Sequence, residues 1–293
     1  MKPRLLAQYK NGNYNVEIYS DGTKIRWSED DFFEADFPDS MDMKITNYCD
    51  MACPMCHEKS DKNGKHAKFD QPFLNTLRKG TELAIGGGNP LTNPELVPFL
   101  VRMKKQGVIP NLTVNEKHFL DNEKLIQNLI DQKLIYGLGI SLWLFDDRTF
   151  AFAKKNKNVV FHVIIGTEQI DKLKTIYDQG YKILLLGYKK FGRGEQFYSS
   201  EVERRIAETN EKFDEIKRAF DVVSFDNLAL TQLNVKSRVP KEIYEECFMG
   251  DDGESTMYVD LVKEQFAVSS TSTVRYPLKD DIDSMFAVVK KNR

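Results

Sequence analysis

Cysteine is scarce in this sequence, with four residues in 293. Four thiols, three of them crowded together, do not make the disulfide framework of a secreted domain. No apolar run approaches the length that crosses a bilayer, and the opening residues, Met1 to Gln8, hold no signal-peptide core. Neither sign of charge dominates. The 42 basic and 44 acidic residues leave a formal net charge of −2, so the chain has no global basic field to attract nucleic acid. These absences, with 41% hydrophobic and 29% charged residues, predict a cytoplasmic globular protein with no membrane partner. Its length suits one large domain, or one large domain with small additions.

The first stretch reads as β-structure. Asn11-Gly12 and Asp21-Gly22 are hairpin turn signals, and Tyr14, Val16 and Ile18, then Ile25 and Trp27, alternate with polar neighbours. Residues 1–39 form an N-terminal hairpin unit with an acidic linker. From residue 40 strand-like and helix-like stretches alternate. Strands are expected over 41–46, 82–85, 111–114, 136–142, 159–165 and 182–186. Helices follow over 71–79, 94–105, 122–132, 147–155, 169–179 and 200–220, and a seventh apolar stretch covers 222–233. Six repeated β-α units imply a parallel sheet with outer helices, too few for a closed eight-fold barrel. An α/β fold with a partial (β/α)6 barrel over 40–236 fits, followed by a C-terminal β-hairpin extension over 237–293.

What cysteine there is lies in one place. Cys49, Cys53 and Cys56 follow the first strand in a C-x3-C-x2-C spacing. Thiolates are soft ligands that select zinc or iron–sulfur clusters. A structural zinc site normally has four protein ligands, which His57, His66 or Cys247 would complete. A cubane cluster with one open iron needs three. The residues by themselves leave both readings open: a zinc-stabilised binding protein, or a cluster protein.

The spacing, with the barrel context, resembles the signature of the radical S-adenosylmethionine (SAM) superfamily. That resemblance implies a [4Fe-4S] cluster on Cys49, Cys53 and Cys56. SAM is held at the open iron, and an electron donor such as flavodoxin or ferredoxin reduces the cluster. Met55 stands where the family usually has an aromatic residue near adenine. Gly86-Gly87-Gly88-Asn89-Pro90 resembles the family's Gly-Gly-Glu-Pro stretch, whose backbone receives the SAM amino group, with Asn89 in place of Glu. Thr113-Val114-Asn115 resembles a Thr-Asn-Gly stretch of peptide-modifying members. Ser141 falls where the family contacts the SAM ribose or carboxylate, and Arg193 in a Gly-Arg segment where a cation pairs with an anion.

Asp42, Lys44 and His162 lie on strands and are candidates for substrate contact. Asp42 and Lys44 alternate with apolar neighbours and point into the barrel. The tail from Cys247 through Gly250 to Ser269 and Ser270 resembles a degenerate SPASM extension. One cysteine cannot hold an auxiliary cluster, so Cys247 is read as a buried or idle thiol, or a group on the substrate side. The vestigial tail implies a peptide or protein substrate, with a nucleoside or other small molecule as the alternative. A SAM-cluster protein that binds a partner without chemistry is a further possibility.

Overall fold

The computed structural model describes residues 3–167 and 169–293; Met1 and Lys2, the start of the expected hairpin unit, lie outside them. Strands β1 (Leu5–Asn11), β2 (Tyr14–Tyr19) and β3 (Lys24–Ser28) form a three-stranded antiparallel sheet in that order. The alternation read in the sequence buries Tyr14, Val16 and Ile18 on one face. The unit is fastened to the next strand through Asp39, a buried carboxylate that accepts from Tyr9 Oη (3.1 Å), Asn11 Nδ2 (2.7 Å) and Tyr14 Oη (2.7 Å). A buried charge needs this kind of satisfaction.

The main sheet has ten strands. Seven run parallel in chain order: β4 (Ser40–Lys44), β5 (Glu82–Gly86), β6 (Ile109–Asn115), β7 (Gly137–Ser141), β8 (Val159–Ile164), β9 (Lys182–Leu186) and β10 (Val222–Phe225). The six expected units supply β4 to β9, and the seventh apolar stretch supplies β10. On the other edge β11 (Thr256–Asp260) pairs in parallel with β4. The antiparallel β12 (Gln265–Ala267) and β13 (Tyr276–Pro277) continue the sheet. β10 and β11 do not pair, so the barrel stays open on that side.

Helices occupy the connections between strands: α1 (Leu96–Gln106), α2 (Glu116–Asp121), α3 (Glu123–Asp131), α4 (Asp147–Lys155), α5 (Gln169–Lys172), α6 (Arg193–Phe197), α7 (Ser200–Glu211), α8 (Phe213–Ala219), α9 (Asn227–Gln232) and α10 (Lys241–Cys247), and α11 (Ile282–Lys291) follows the last strand. Two expectations are corrected. The helix expected over 71–79 is a single 3-10 turn, Pro72–Asn75. Its apolar residues Phe73, Leu74 and Leu77 are buried from a largely irregular connection that runs from β4 to β5. The long helix expected over 200–220 breaks at Lys212 into α7 and α8.

The two ends of the parallel sheet differ. At the end where strands begin, the β1–β3 unit closes the barrel. Asn158 Nδ2 donates to Ser20 O (2.6 Å), Lys182 Nζ donates to Asp21 O (3.0 Å), and Lys24 pairs with Glu82. The end where strands finish carries the cysteine loop and is left for ligands, as in barrels generally.

Candidate metal centre

The cysteine loop leaves β4 at Ile45 and returns beside itself. Thr46 bridges to His66 and Tyr48 to Asp61, and Cys49 N donates to Asp61 O at 2.8 Å. All three cysteines are free and partly exposed. Burial raises the proton affinity of the Cys49 and Cys53 thiols. For Cys49 the neighbouring Cys56 adds to this, and for Cys53 both Cys49 and Cys56 do. Thiols held close together, with ionisation of Cys49 and Cys53 disfavoured by burial and neighbouring sulfur, suit a group that brings positive charge, so the residues fit a metal cluster.

Two segments brace the loop from outside. Arg193, at the start of α6, donates from Nε to Cys53 O and from Nη2 to Ser60 O, both at 3.0 Å, and its amide donates to Cys56 O at 3.0 Å. Its guanidinium is thus engaged with the loop's own carbonyls. The preceding Gly192 has φ +65°, and a Cβ there would lie 2.1 Å from His57 O, so only glycine lets the two segments touch. The stretch after β5 approaches as closely. The amides of Gly88 and Asn89 donate to Thr46 O (2.8 Å) and Tyr48 O (2.6 Å). Gly87 has φ +120° with Thr46 O in the place of a Cβ. The buried Asn89 side chain accepts from Leu91 N at 3.2 Å and caps the following turn. Gly86 O accepts from Ile45 N at 3.0 Å, whereas the carbonyls of Gly87 and Gly88 accept no hydrogen bond among the described residues.

Asn115, Ser141 and His162 lie side by side in register on β6, β7 and β8. Asn115 caps α2 by accepting from Lys117 N at 2.9 Å. The His162 ring lies against Gly139, and burial pushes its pKa down to about 4, so it is neutral at physiological pH. Asp42 faces the barrel interior. Burial raises its carboxyl above the usual range, Lys189 opposes that shift, and Asp252, Asp226 and Glu58 add to it. Cys247, expected buried or idle, is exposed at the end of α10.

Two residues that sequence reasoning passed over are decisive here, both on α2. Glu116 is fully buried, and its carboxylate accepts from four consecutive amides, those of Trp143 (2.8 Å), Leu144 (2.6 Å), Phe145 (2.9 Å) and Asp146 (2.9 Å). His118, also buried, meets Asp50 Oδ1 through Nε2 at 2.7 Å. An ionised carboxylate only accepts, so Nε2 carries the proton. The ligand-capable atoms of Cys49, Asp50 and His118 lie within 4.8 Å of one another. The only signal in the sequence was an acidic residue in the first turn after an N-cap, which does not foretell a buried partner.

The loop separates two cavities. One, of about 430 Å³, is lined by Met55, Trp143 and Leu144 and by the charged Lys172, Glu201 and Arg205, among others. The other, of about 410 Å³, lies toward β11 and is lined by Lys44, Glu58, Lys59, Tyr258, Asp260 and Arg275, among others. On that side the buried Lys44 pairs with Glu58 and with Asp260 (3.3 Å), and Tyr258 Oη donates to Glu58 Oε1 at 3.0 Å. Burial disfavours the Glu58 carboxylate, but Lys44, His57 and Tyr258 outweigh it and lower its pKa overall. Burial, with Lys189 next, takes His57 down to about 4.

No family model matches this chain, and no curated protein matches it in sequence. Solved structures do match in fold. Streptococcus suis SuiB bound to its precursor peptide SuiA superposes with a TM-score of 0.58 at 14% identity, over 89% of this chain and 68% of that one. SuiB bound to S-adenosylmethionine gives 0.57 at 14% identity, over 89% and 69%. The chain therefore has the partial-barrel fold of SuiB, a protein seen both with S-adenosylmethionine and with a precursor peptide.

Proposed function

We propose that this chain is a radical SAM enzyme that modifies a peptide or protein. The observation that carries the reading is the placement of three free thiols on one loop, at the strand-end mouth of a parallel barrel, beside a cavity of about 430 Å³. Cys49, Cys53 and Cys56 would hold a [4Fe-4S] cluster with one iron left for SAM. Once bound there and reduced by a donor such as flavodoxin or ferredoxin, such a cluster would supply the electron for reductive cleavage of SAM and so the means to abstract a hydrogen atom from the substrate.

The chain's own residues orient and enclose. The unengaged carbonyls of Gly87 and Gly88 suit the SAM ammonium. Met55 and Trp143 offer polarisable and planar surface for the adenosyl group. Asp42 and His162 face the barrel interior, where a substrate enters. The fold shared with a protein that takes a precursor peptide supports the peptide class. Residues 237–293 are read as a SPASM-like extension without an auxiliary cluster.

The test is anaerobic reconstitution with iron and sulfide, reduction, addition of SAM and quantification of 5′-deoxyadenosine. The wild-type chain is expected to produce it and Cys53→Ala to produce none. A second reading, a zinc-stabilised binding protein, is favoured by the close approach of Cys49, Asp50 and His118. Zinc uptake without iron uptake, with SAM left intact, would establish that reading instead.

A further inference from the structure

The turn between β12 and β13 brings two cations to one neutral residue. Lys189 Nζ donates to Ser270 Oγ at 3.0 Å, and Arg275 Nη2 donates to Ser270 O at 2.5 Å. The guanidinium also reaches Ser269 O at 3.4 Å and lies over the Tyr258 ring, 4.8 Å from its centre. Neither cation forms an ion pair within 4 Å among the described residues; Lys189 acts at longer range on the Asp42 and Asp226 carboxyls, and Arg275 on the Tyr258 hydroxyl. Lys189 lines a small adjoining cavity beside His57 and reaches the cavity of Arg275 through its bond to Ser270. Lys44 lines the same cavity as Arg275 and Ser270 and forms two ion pairs. Lys59 and Lys263 stand exposed on the lining of that cavity, with Glu195 as the remaining unpaired acid. Like charges held together in a partly desolvated hollow favour an anion. The chain as a whole carries a net −2, so this attraction is local.

We infer that the hollow between the cysteine loop and the 269–275 turn is an anion site that receives a carboxylate of an acidic peptide substrate. It rests on the peptide reading proposed above and narrows it. Ser270, in the C-terminal extension, gathers both cations, so the extension contributes recognition at this hollow. His57 and Glu58 of the cysteine loop line the same hollow. A peptide anchored there by an acidic residue lies against the loop that carries the three thiols.

The test is binding of a fluorescein-labelled deca-glutamate to the full-length chain at low salt, read by anisotropy without SAM or reductant. Wild type and the distant exposed control Lys241→Gln are expected to bind alike. The double variant Lys189→Gln/Arg275→Gln is expected to bind about tenfold more weakly or worse. Lys189→Arg and Arg275→Lys keep the charges and are expected to keep binding, and they carry the test if the double variant does not fold. Equal binding by the double variant and wild type would overturn the inference, as would equal binding of deca-lysine. Inorganic phosphate holding the site more tightly than deca-glutamate would reassign it and overturn the peptide assignment. Because the assay needs no cleavage of SAM, its failure and a failure of the radical SAM reading are told apart by the 5′-deoxyadenosine measurement.

Discussion

The two cavities flanking the cysteine loop are nearly equal in volume, about 430 and 410 Å³, and opposite in how they are built. The first gets its central wall from backbone. Four consecutive amides converge on the Glu116 carboxylate and turn Trp143 and Leu144 toward Met55. The second gets its shape from side-chain charge, with Lys44 at the centre of Glu58 and Asp260. A wall shaped by backbone presents apolar side chains without having to satisfy them, and Lys172, Glu201 and Arg205 supply charge elsewhere on the same cavity's lining. A wall shaped by charge is selective but depends on every partner staying in place.

The largest expected effect comes from breaking the first wall at its anchor. Glu116→Ala leaves four partly buried amides without their acceptor and is expected to destabilise the fold by about 4 kcal/mol, the lower end of about 1–3 kcal/mol for each such group. Glu116→Gln keeps an acceptor without the charge and should fall between the two. Chemical denaturation checks both. The polar side breaks at Lys44. Lys44→Met strands Glu58 and Asp260 and is expected to cost about 3 kcal/mol, and Lys44→Met/Glu58→Leu should recover part of it. Full additivity of the two single changes would mean that the charges are not coupled.

The contrast also explains what could be read in the sequence and what could not. The β/α rhythm was legible because each strand and helix carries its period locally, and the thiols because their spacing is short. The helix expected over 71–79 shrank to a short 3-10 turn because Phe73, Leu74 and Leu77 reach the core from local turns, Leu74 N to Gln71 O and Thr76 N to Phe73 O, which do not propagate into a helix. Glu116 was invisible because its partners lie 27 to 30 residues further on. Arg193 could be seen as a cation near a rim, but not as a brace on carbonyls 133 and 140 residues earlier. Local pattern announces elements and ligands. It does not announce which distant backbone a charge will hold.

Acid provides a milder test of the same contrast. His57 on the polar side and His162 in the barrel interior are both held neutral, with pKa values near 4, mainly by burial. The unfolded chain binds those protons near the ordinary histidine value of about 6.5. Stability is therefore fully present above about pH 6.5 and is lost as pH falls toward 4. Each histidine is expected to contribute on the order of 2 kcal/mol to that loss. Denaturation midpoints measured between pH 7 and pH 4.5 should fall, and His162→Gln should flatten the slope. An unchanged slope would mean that His162 takes up its proton in the folded state.

The smallest expected effect on stability separates the two sides most sharply. Trp143 is 37% exposed and held in place by its backbone, not its ring. Trp143→Ala should therefore move the unfolding midpoint little, by about 0.5 kcal/mol or less. Removing a ring from the apolar wall is expected to weaken SAM binding roughly five- to tenfold, the worth of one aromatic contact. The same variant should leave deca-glutamate binding unchanged, because that ligand is assigned to the other side of the loop. If both affinities fell together, the two hollows would be one continuous site, with the cysteine loop a movable partition between them. If only SAM binding fell, cofactor and substrate would meet across the loop from independent pockets, and each could be altered without the other.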